Sequence, residues 1–323
     1  MKEFVRNMFV FSALFVFFVT SGCGARSQEV SSSERDASSS NVTNPSSSSK
    51  DGGASASNVT DPSSPGKAGD RMEIEIKGVK VAFRWCPPGS FTRHWNRSTQ
   101  GYWAEKTTED DDKKDFEITL TEGFWLAETE TTQELWQSVT GKNPSFGQRT
   151  RKTPVNFVSW DDTQDFISQL NSAGYAPSGY DFRLPTEAQW EYACMAGSTG
   201  ERYGELDAIA WYGSYNKYGS YNKNDEDVGN SDGHAHEVGQ KKANAWGLYD
   251  MLGNVWEQCS DWIGDYPMKN LTDYTGPNDG SRRVIRGGSW HAVAGTCSRS
   301  YRYYWYARYD CLGFRLALVP KER

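Results

Sequence analysis

The chain has 323 residues and a formal net charge of −7 at neutral pH. An acidic chain without a basic stripe argues against nucleic-acid binding. All 13 tryptophans and 17 tyrosines lie beyond residue 70, and the roughly 250 residues that remain are enough for one large domain with a substantial core.

The N-terminus predicts export. A positively charged start is followed by an apolar run over 8–19, which is too short to span a bilayer of about 30 Å, so residues 1–22 are predicted to be a cleaved signal peptide. Small residues before Cys23 resemble a bacterial lipoprotein cleavage box, although Thr20 stands where Leu is usual. We predict lipidation at Cys23; the alternative is an ordinary secretory signal beside a chance cysteine.

The segment that follows, 23–70, is dominated by Ser, Gly, Ala and Asn. Such a composition cannot bury enough apolar surface to offset chain ordering, which predicts a disordered tether. We therefore expect an exported lipoprotein, anchored in a membrane through its lipid on the outer surface of a bacterial cell. Its folded domain is predicted at 71–323.

Three helices are predicted in that domain. Thr131-x-x-Glu134 forms a capping box with Gly141 as the stop, Ser159 caps a second helix, and Thr186-x-x-Gln189 caps a third. Many Gly and Pro turn signals and few long helical patterns elsewhere indicate an α+β domain with much irregular structure.

Enzyme motifs are scarce. Apart from Cys23, the five cysteines contain no C-x-x-C pair, so no disulfide framework or zinc site is implied. His234 and His236 could bind a metal, but an exposed polar turn is the commoner explanation. Between Asp250 and Glu257, two carboxylates and intervening backbone carbonyls would offer calcium its preferred oxygen ligands; alternatively, the carboxylates pin backbone amides in a buried turn.

The C-terminal forty residues are the most informative. The sequences Arg-Gly-Gly-Ser-Trp at 286–290 and Gly-Phe-Arg-Leu-Ala at 313–317 bracket a segment rich in tyrosine. So many aromatic residues cannot all be buried, and exposed rings usually mark a recognition surface. This segment is therefore predicted to be a binding face.

Several long motifs together resemble the formylglycine-generating enzyme, or sulfatase-modifying factor, family. They are Phe-Arg-Leu-Pro-Thr-Glu-Ala-Gln-Trp-Glu-Tyr-Ala at 182–193, Asn-Ala-Trp-Gly-Leu-Tyr-Asp-Met-Leu-Gly-Asn-Val-Trp-Glu at 244–257, and the two sequences that bracket the aromatic segment. The resemblance covers about 80–318 and implies that family's variant of the C-type lectin fold. It also aligns one family calcium site with Asp250, Gly253, Val255 and Glu257, so a structural calcium is expected there.

Activity does not follow from the resemblance. Family enzymes that oxidise a sulfatase cysteine bind copper through two cysteines five residues apart, and those positions hold Ala292 and Cys297 here. One thiolate cannot make a paired soft-ligand site. We therefore expect no copper and no enzyme; a formylglycine-generating or related sulfatase-modifying oxidoreductase is the alternative.

The aromatic segment also resembles the variable region of proteins diversified by retroelements, in which template adenines, often in Asn codons, are replaced at random. Replacing the first two bases of AAC never yields Lys, Glu, Gln, Met or Trp, and 291–311 contains none of the first four. Trp305 is the exception and is predicted to be fixed. The variable region is placed at about 286–318. The other residues predicted to be fixed are Ala294, Cys297, Arg299, Ser300, Arg302 and Ala307.

The resemblance to variable proteins predicts a non-enzymatic receptor that binds a protein or glycan on another cell or host surface. Tyrosine supplies large, stiff contact area at low entropic cost. A purely structural envelope lipoprotein is a further alternative, and the sequence does not identify the ligand. The predicted ligand-binding residues are His291, Ala292, Val293, Gly295, Thr296, Ser298, Tyr301, Tyr303, Tyr304, Tyr306, Arg308, Tyr309 and Asp310.

Overall fold

A computed structural model describes residues 66–96, 113–147, 149–213, 229–305 and 307–321. The predicted signal peptide, Cys23, the tether as far as residue 65, and Tyr306 lie outside the described residues. The tether was predicted to extend to residue 70, but 66–70 belong to the fold: the Asp70 carboxylate accepts hydrogen bonds from the Gly66 and Lys67 amides, and the Gly69 amide donates to the Trp85 carbonyl at 2.9 Å. These bonds close a turn against the second strand.

The described residues form three sheets from twelve strands. The first sheet has the order β1-β2-β5-β12-β6, the second β3-β4-β8, and the third β10-β9-β7-β11. The strands are β1 Arg71–Ile76, β2 Val79–Cys86, β3 Gly89–Asn96, β4 Lys113–Leu120, β5 Phe124–Ala127, β6 Tyr180–Arg183, β7 Trp256–Trp262, β8 Leu271–Thr272, β9 Arg283–Arg286, β10 Arg302–Trp305, β11 Leu312–Gly313 and β12 Ala317–Pro320.

Four α-helices occur in the described part: α1 Gln133–Thr140, α2 Trp160–Ser172, α3 Glu187–Met195 and α4 Leu206–Ile209. The predicted caps of α2 and α3 are confirmed, since Ser159 and Thr186 each accept from the third helical amide in a complete capping box. No helix in this part of the chain is long and apolar enough to cross a membrane.

The start of α1 was predicted one residue too early. The N-cap is Thr132, whose hydroxyl accepts from the Leu135 amide at 3.2 Å. Thr131 cannot take this role because its backbone is already paired on both sides, donating to the Phe314 carbonyl and accepting from the Val155 amide. The predicted stop at Gly141 is confirmed by its left-handed backbone with φ of 77°.

The five-stranded sheet separates two hydrophobic cores. All four residues of β5 are buried: Phe124 and Leu126 contribute to one core, and Trp125 and Ala127 to the other. Because successive side chains of a strand point to opposite faces, a strand covered on both sides is apolar throughout. The mixture of helices and sheets confirms the predicted α+β class.

Candidate ligand-binding cleft

A tight glycine turn links β9 to the predicted variable segment. Gly287 and Gly288 have φ of 98° and 80°, a region that residues with a side chain rarely adopt. A Cβ on Gly288 would lie 2.7 Å from the Cys297 sulfur, so the turn also needs a residue without a side chain. The Trp290 amide then donates to the Asn254 carbonyl at 2.7 Å, which fixes where the next residues leave the frame.

Buried ion pairs hold β9 and β10 to helix α3. Arg286 and Arg302 face each other across the two strands, and both pair with Glu187, at 3.3 and 2.8 Å. Two cations opposite each other would repel without that carboxylate. Burial alone would raise the pKa of Glu187, but the charges of Arg302, Arg286 and Arg93 outweigh it and lower the pKa to about 2. Glu187 is therefore ionised at neutral pH and joins both strands to α3.

The segment before β10 is anchored by hydrogen bonds to Glu201. The Arg299 amide donates to the Glu201 carbonyl at 2.9 Å, and the Ser300 hydroxyl donates to the Glu201 carboxylate. Four of the residues predicted to be fixed are buried: Cys297, Arg299, Ser300 and Arg302. Of the others, Ala294 and Trp305 are half-buried and Ala307 is exposed. The buried members form the frame from which neighbouring side chains project.

A surface cleft of about 160 Å³ opens over β9, β10 and the start of β7. Five predicted ligand-binding residues line it, three of them tyrosines that are half-buried or exposed. The Trp256 ring lies 6.0 Å from the Tyr301 ring and 6.3 Å from the Tyr303 ring, and the Tyr309 ring lies 5.0 Å from Trp305. The lining residues are Trp256, Ile285, Ser289, His291, Ala292, Tyr301, Tyr303, Trp305, Tyr309, Cys311 and Leu312.

Other predicted ligand-binding residues lie outside the cleft. Val293 and Gly295 are exposed, Thr296 is half-buried beside them, and Asp310 is half-buried. The Tyr304 ring lies under the Arg282 guanidinium at 4.4 Å. Arg308 binds Asp162 through two hydrogen bonds of 2.7 Å, and its side chain stays half exposed.

One residue predicted to bind the ligand is buried. Ser298 is only 6% exposed and its hydroxyl accepts from the Tyr301 amide at 3.2 Å. The segment around it, 297–300, is buried without interruption. Because this stretch is not a regular strand, no alternation in the sequence distinguishes Ser298 from its exposed neighbours.

The chemistry of the cleft is that of neutral groups. Burial raises the pKa of Tyr301 and lowers that of His291, so both are uncharged at neutral pH. Burial also raises the pKa of Cys311 to about 12, which leaves a thiol rather than a thiolate. Phenol hydroxyls on rigid rings can donate and accept hydrogen bonds while the ring faces bury apolar surface.

The predicted calcium ligands do not fit a metal ion. Both oxygens of Glu257 are occupied: Arg315 binds them at 2.6 and 2.7 Å, and the Trp190 indole donates to one at 2.7 Å. One oxygen of Asp250 accepts from the Gly239 amide at 2.6 Å, and the other is buried without a hydrogen-bond donor among the described residues. The described residues contain no group of three His, Cys, Asp or Glu side chains placed to hold a metal ion. Arg315 supplies the positive charge that a calcium ion would bring.

The thiol at the second family position is also enclosed. Cys297 is buried, and burial raises its pKa to about 12. Its partner position, Ala292, carries no ligand atom on its side chain. His234 and His236 each have a ring nitrogen within 2.9 Å of a backbone carbonyl, which explains them as structural residues of a turn.

Comparisons with known proteins assign a family to this geometry. Residues 82–319 match the family described as sulfatase-modifying factor enzyme 1-like domain. A curated relative is the chaperone protein LppX of Paenibacillus barcinonensis, 28% identical over 58% of this chain and 76% of the relative. Another is the formylglycine-generating enzyme of Streptomyces coelicolor, 35% identical over 45% of each chain. The match therefore spans less than half the length of that enzyme.

Two solved structures share the fold. Treponema denticola variable protein 1 superposes with a TM-score of 0.62 at 28% identity, covering 76% of this chain and 98% of that one. PvdO from Pseudomonas aeruginosa superposes with a TM-score of 0.59 at 20% identity, covering 79% and 99%, and shows the fold alone. The predicted C-type lectin fold of the formylglycine-generating-enzyme kind is confirmed, as is the resemblance to variable proteins.

Sequence reasoning missed part of the cleft. Trp256 was read as part of a family motif, and Ile285 and Leu312 were not singled out. They reach the cleft because the third sheet has the order β10-β9-β7-β11, which brings together strands far apart in the chain. The alternation of β7 does not by itself reveal which surface the half-buried Trp256 lines.

Proposed function

The chain belongs to the sulfatase-modifying factor enzyme 1-like family, and within that family we propose that it is a surface-displayed, variable ligand-binding lipoprotein. It recognises a protein or glycan on another cell or host surface through the aromatic cleft. The observation that carries the proposal is the arrangement of Tyr301, Tyr303 and Tyr309. Their rings line an open cleft, whereas Arg302, which stands between Tyr301 and Tyr303, is buried in the frame.

The arrangement suits a site whose side chains are exchanged. Arg299 and Arg302 are held by groups of the frame, at Glu201 and Glu187, while Tyr301 and Tyr303 contact other rings of the cleft. Exchange of a cleft residue therefore alters the binding surface without breaking a buried ion pair. The similarity to Treponema denticola variable protein 1 supports diversification of this segment by a retroelement.

The cleft supports binding rather than oxidation. Cys297 is a buried thiol with a raised pKa, and Ala292 stands at the other of the two cysteine positions. Cys311 lies at the cleft wall, also with a raised pKa. Since soft metals bind thiolates, these residues favour the non-enzymatic function over a sulfatase-modifying oxidoreductase.

Anchoring completes the proposal. We place a signal peptide at 1–22, a lipid on Cys23 and a tether that holds the domain away from the membrane. The Ser-rich composition of that segment supports a solvated spacer. Cys23→Ala should abolish incorporation of labelled palmitate in bacteria that express the full chain; incorporation that persists in this variant would contradict lipidation at Cys23.

Recognition is tested with the full chain on arrays of glycans and of bacterial and host surface proteins. Tyr301→Ser, Tyr303→Ser and Tyr309→Ser should each weaken binding to the ligand found by about tenfold or more, as loss of a central aromatic contact does. Phe146→Ser is the matched control, because Phe146 is 67% exposed and does not line the cleft. Equal binding by all four variants would refute the proposed site.

Diversification has its own test. The genome should carry a near-duplicate of the 3′ coding end with adenines at the variable codons, beside a reverse-transcriptase gene. Failure to find the repeat would refute diversification by a retroelement and leave the binding test unaffected.

A further inference from the structure

A second cleft, of about 170 Å³, adjoins the candidate ligand-binding cleft, which we call the variable cleft, on the same sheet. The two share Trp305, Ile285 and Leu312 in their walls. The rest of its wall comes from β7, β9 and the start of α2, and its lining residues are Ser159, Trp160, Asp161, Gln258, Trp262, Ser281, Arg282, Arg283, Ile285, Trp305, Ala307 and Leu312. None of these was predicted to be a variable ligand-binding residue.

The centre of this second cleft is the Arg283 guanidinium. Its carbon lies 3.3 Å from the centre of the Trp262 ring and 4.0 Å from that of Trp160, so two indoles enclose the cation. In the sheet, Arg283 pairs with Trp262 on one side and Trp305 on the other. Packing of this kind fixes the plane of the guanidinium before any ligand arrives.

Arg283 has no carboxylate hydrogen-bond partner among the described residues, unlike Arg286, Arg302 and Arg315 of the same fold. Its Nη1 donates to the Ser260 carbonyl at 2.5 Å, whereas its Nε is buried and has no hydrogen-bond acceptor among the described residues. Arg286, Arg302 and Arg315 all pair with glutamates. Burial lowers the pKa of Arg283, whereas the pKa values of Arg302 and Arg315 are raised by their glutamates.

A second group at the cleft is also short of a partner. Gln258 is 2% exposed and its amide nitrogen donates to the Val158 carbonyl at 3.1 Å, but its Oε1 accepts no hydrogen bond from the described residues. The Trp160 indole nitrogen is likewise buried without an acceptor. Buried polar atoms normally have partners. The unpaired donors among the cleft residues, the Arg283 Nε and the Trp160 Nε1, therefore point to an occupant that accepts hydrogen bonds; the Gln258 oxygen is itself an acceptor and does not bind such a group.

We propose that this second cleft is a subsite for a carboxylate group of the ligand, bound by Arg283. Guanidinium and carboxylate groups are both planar and pair through two parallel hydrogen bonds. The charged lining residues are Arg282, Arg283 and Asp161, and the buried carboxyl group of Asp261 also acts on Arg283, so the site has little positive charge to spare for a phosphate dianion. The subsite is built from residues that are not predicted to vary, so it stays the same for acidic ligands when the side chains of the variable cleft are exchanged.

The test is a titration of the ¹⁵N-labelled full chain with sodium phenylacetate, followed through the arginine Nε–Hε resonances. The Arg283 resonance, assigned by its loss in Arg283→Lys, should shift saturably with phenylacetate and stay unchanged with phenylacetamide, the neutral control. Inorganic phosphate should bind more weakly. An Arg283 resonance that does not respond to phenylacetate, or responds equally to the amide, overturns the proposal.

The variants give a second readout. Arg283→Lys keeps the charge but loses the planar pair, and should weaken phenylacetate binding about tenfold or more. Arg71→Lys is the matched control, because Arg71 is distant in sequence and does not line the cleft. It should bind phenylacetate as the wild type does. Undiminished binding by Arg283→Lys refutes the assignment; if that variant does not fold, assignment by sequential connectivity lets the wild-type titration decide.

Two further arms separate this proposal from the proposed function and identify the source of the carboxylate. Tyr303→Ser should retain phenylacetate binding, so the subsite can stand even if the variable cleft binds nothing; loss of binding in this variant would contradict a subsite built from the frame. N-acetylated aspartate and glutamate amides, and glucuronic and N-acetylneuraminic acids, are then tested as competitors of phenylacetate. The stronger competitors identify the natural carboxylate as that of a protein or of a glycan. Competition by none of them would overturn the proposal.

Discussion

Replacing Arg302 with Met should destabilise the domain far more than replacing Tyr309 with Ser, although both residues lie in the same C-terminal segment. Arg302 is 5% exposed and binds both oxygens of Glu187, at 2.8 and 2.9 Å, and the Gly264 carbonyl at 2.7 Å. Methionine keeps the apolar stem and removes all three bonds. It leaves Glu187 buried with Arg286 as its partner at 3.3 Å.

Removing one partner of a buried ion pair costs about 3–5 kcal/mol, because the remaining charge is poorly compensated. Tyr309 is 39% exposed and packs on Trp305 at 5.0 Å. Loss of one such half-exposed ring contact should cost about 1 kcal/mol. Since domains of this size unfold at about 5–15 kcal/mol, the first change takes a large share of the total stability and the second a small one.

The assay is urea unfolding of the full chain at pH 7, followed by tryptophan fluorescence, with free energies compared at a common slope. Glu187→Gln in the Arg302→Met background should restore part of the loss, since the buried charge is then removed. The reasoning fails if Arg302→Met and Tyr309→Ser unfold at the same urea concentration. It also fails if the double variant is less stable than Arg302→Met alone.

Three further changes have defined outcomes. Burial and the charge of Glu187 raise the pKa of Asp261 to about 7 from 3.8. As pH rises from about 4 to about 7, the unfolding free energy therefore falls, by about 4 kcal/mol at most. Asp261→Asn should make this fall smaller, as measured by urea denaturation at several pH values. Calcium or a chelator should leave the melting temperature unchanged, because Arg315 occupies both oxygens of Glu257; a rise with calcium in calorimetry would show that an ion binds. Gly288→Ala should lower the unfolding free energy by about 1–2 kcal/mol or more, because the backbone is left-handed there and the added carbon would approach the Cys297 sulfur. Gly295→Ala is the control: nothing lies within 4 Å of its added carbon, so it should unfold like the wild type in urea.

Local signals in the sequence predicted the caps of α2 and α3 and the end of α1 at Gly141. Ser159 and Thr186 cap α2 and α3 because their boxes involve residues three apart, which a sequence displays directly. The error at Thr131 has a long-range cause, since pairing with Phe314 and Val155 decides which of two adjacent threonines is free to cap. Local pattern cannot reveal a partner more than 180 residues away.

The site was predictable in its composition but not in its walls. The tyrosine-rich segment predicted a binding surface, and Tyr301, Tyr303 and Tyr309 line a cleft. The clefts also depend on Trp256 and Arg283, whose positions follow from strand order rather than from any local pattern. The calcium prediction considered only ligands within one turn, 250–257. It could not include Arg315, which is distant in sequence and binds Glu257.

The position of β10 explains how side chains can change there without loss of the fold. Among the described strands it lies at the end of the third sheet and pairs with β9 alone, so no second strand of this part of the chain has to match its side chains. Its register is fixed instead by Arg302, whose guanidinium is bound by a glutamate of α3. An ion pair defines the register through one residue, whereas a hydrophobic face would define it through every second residue. The remaining positions of β10 are therefore released from the core, which is the physical condition for a strand that displays different side chains on one frame.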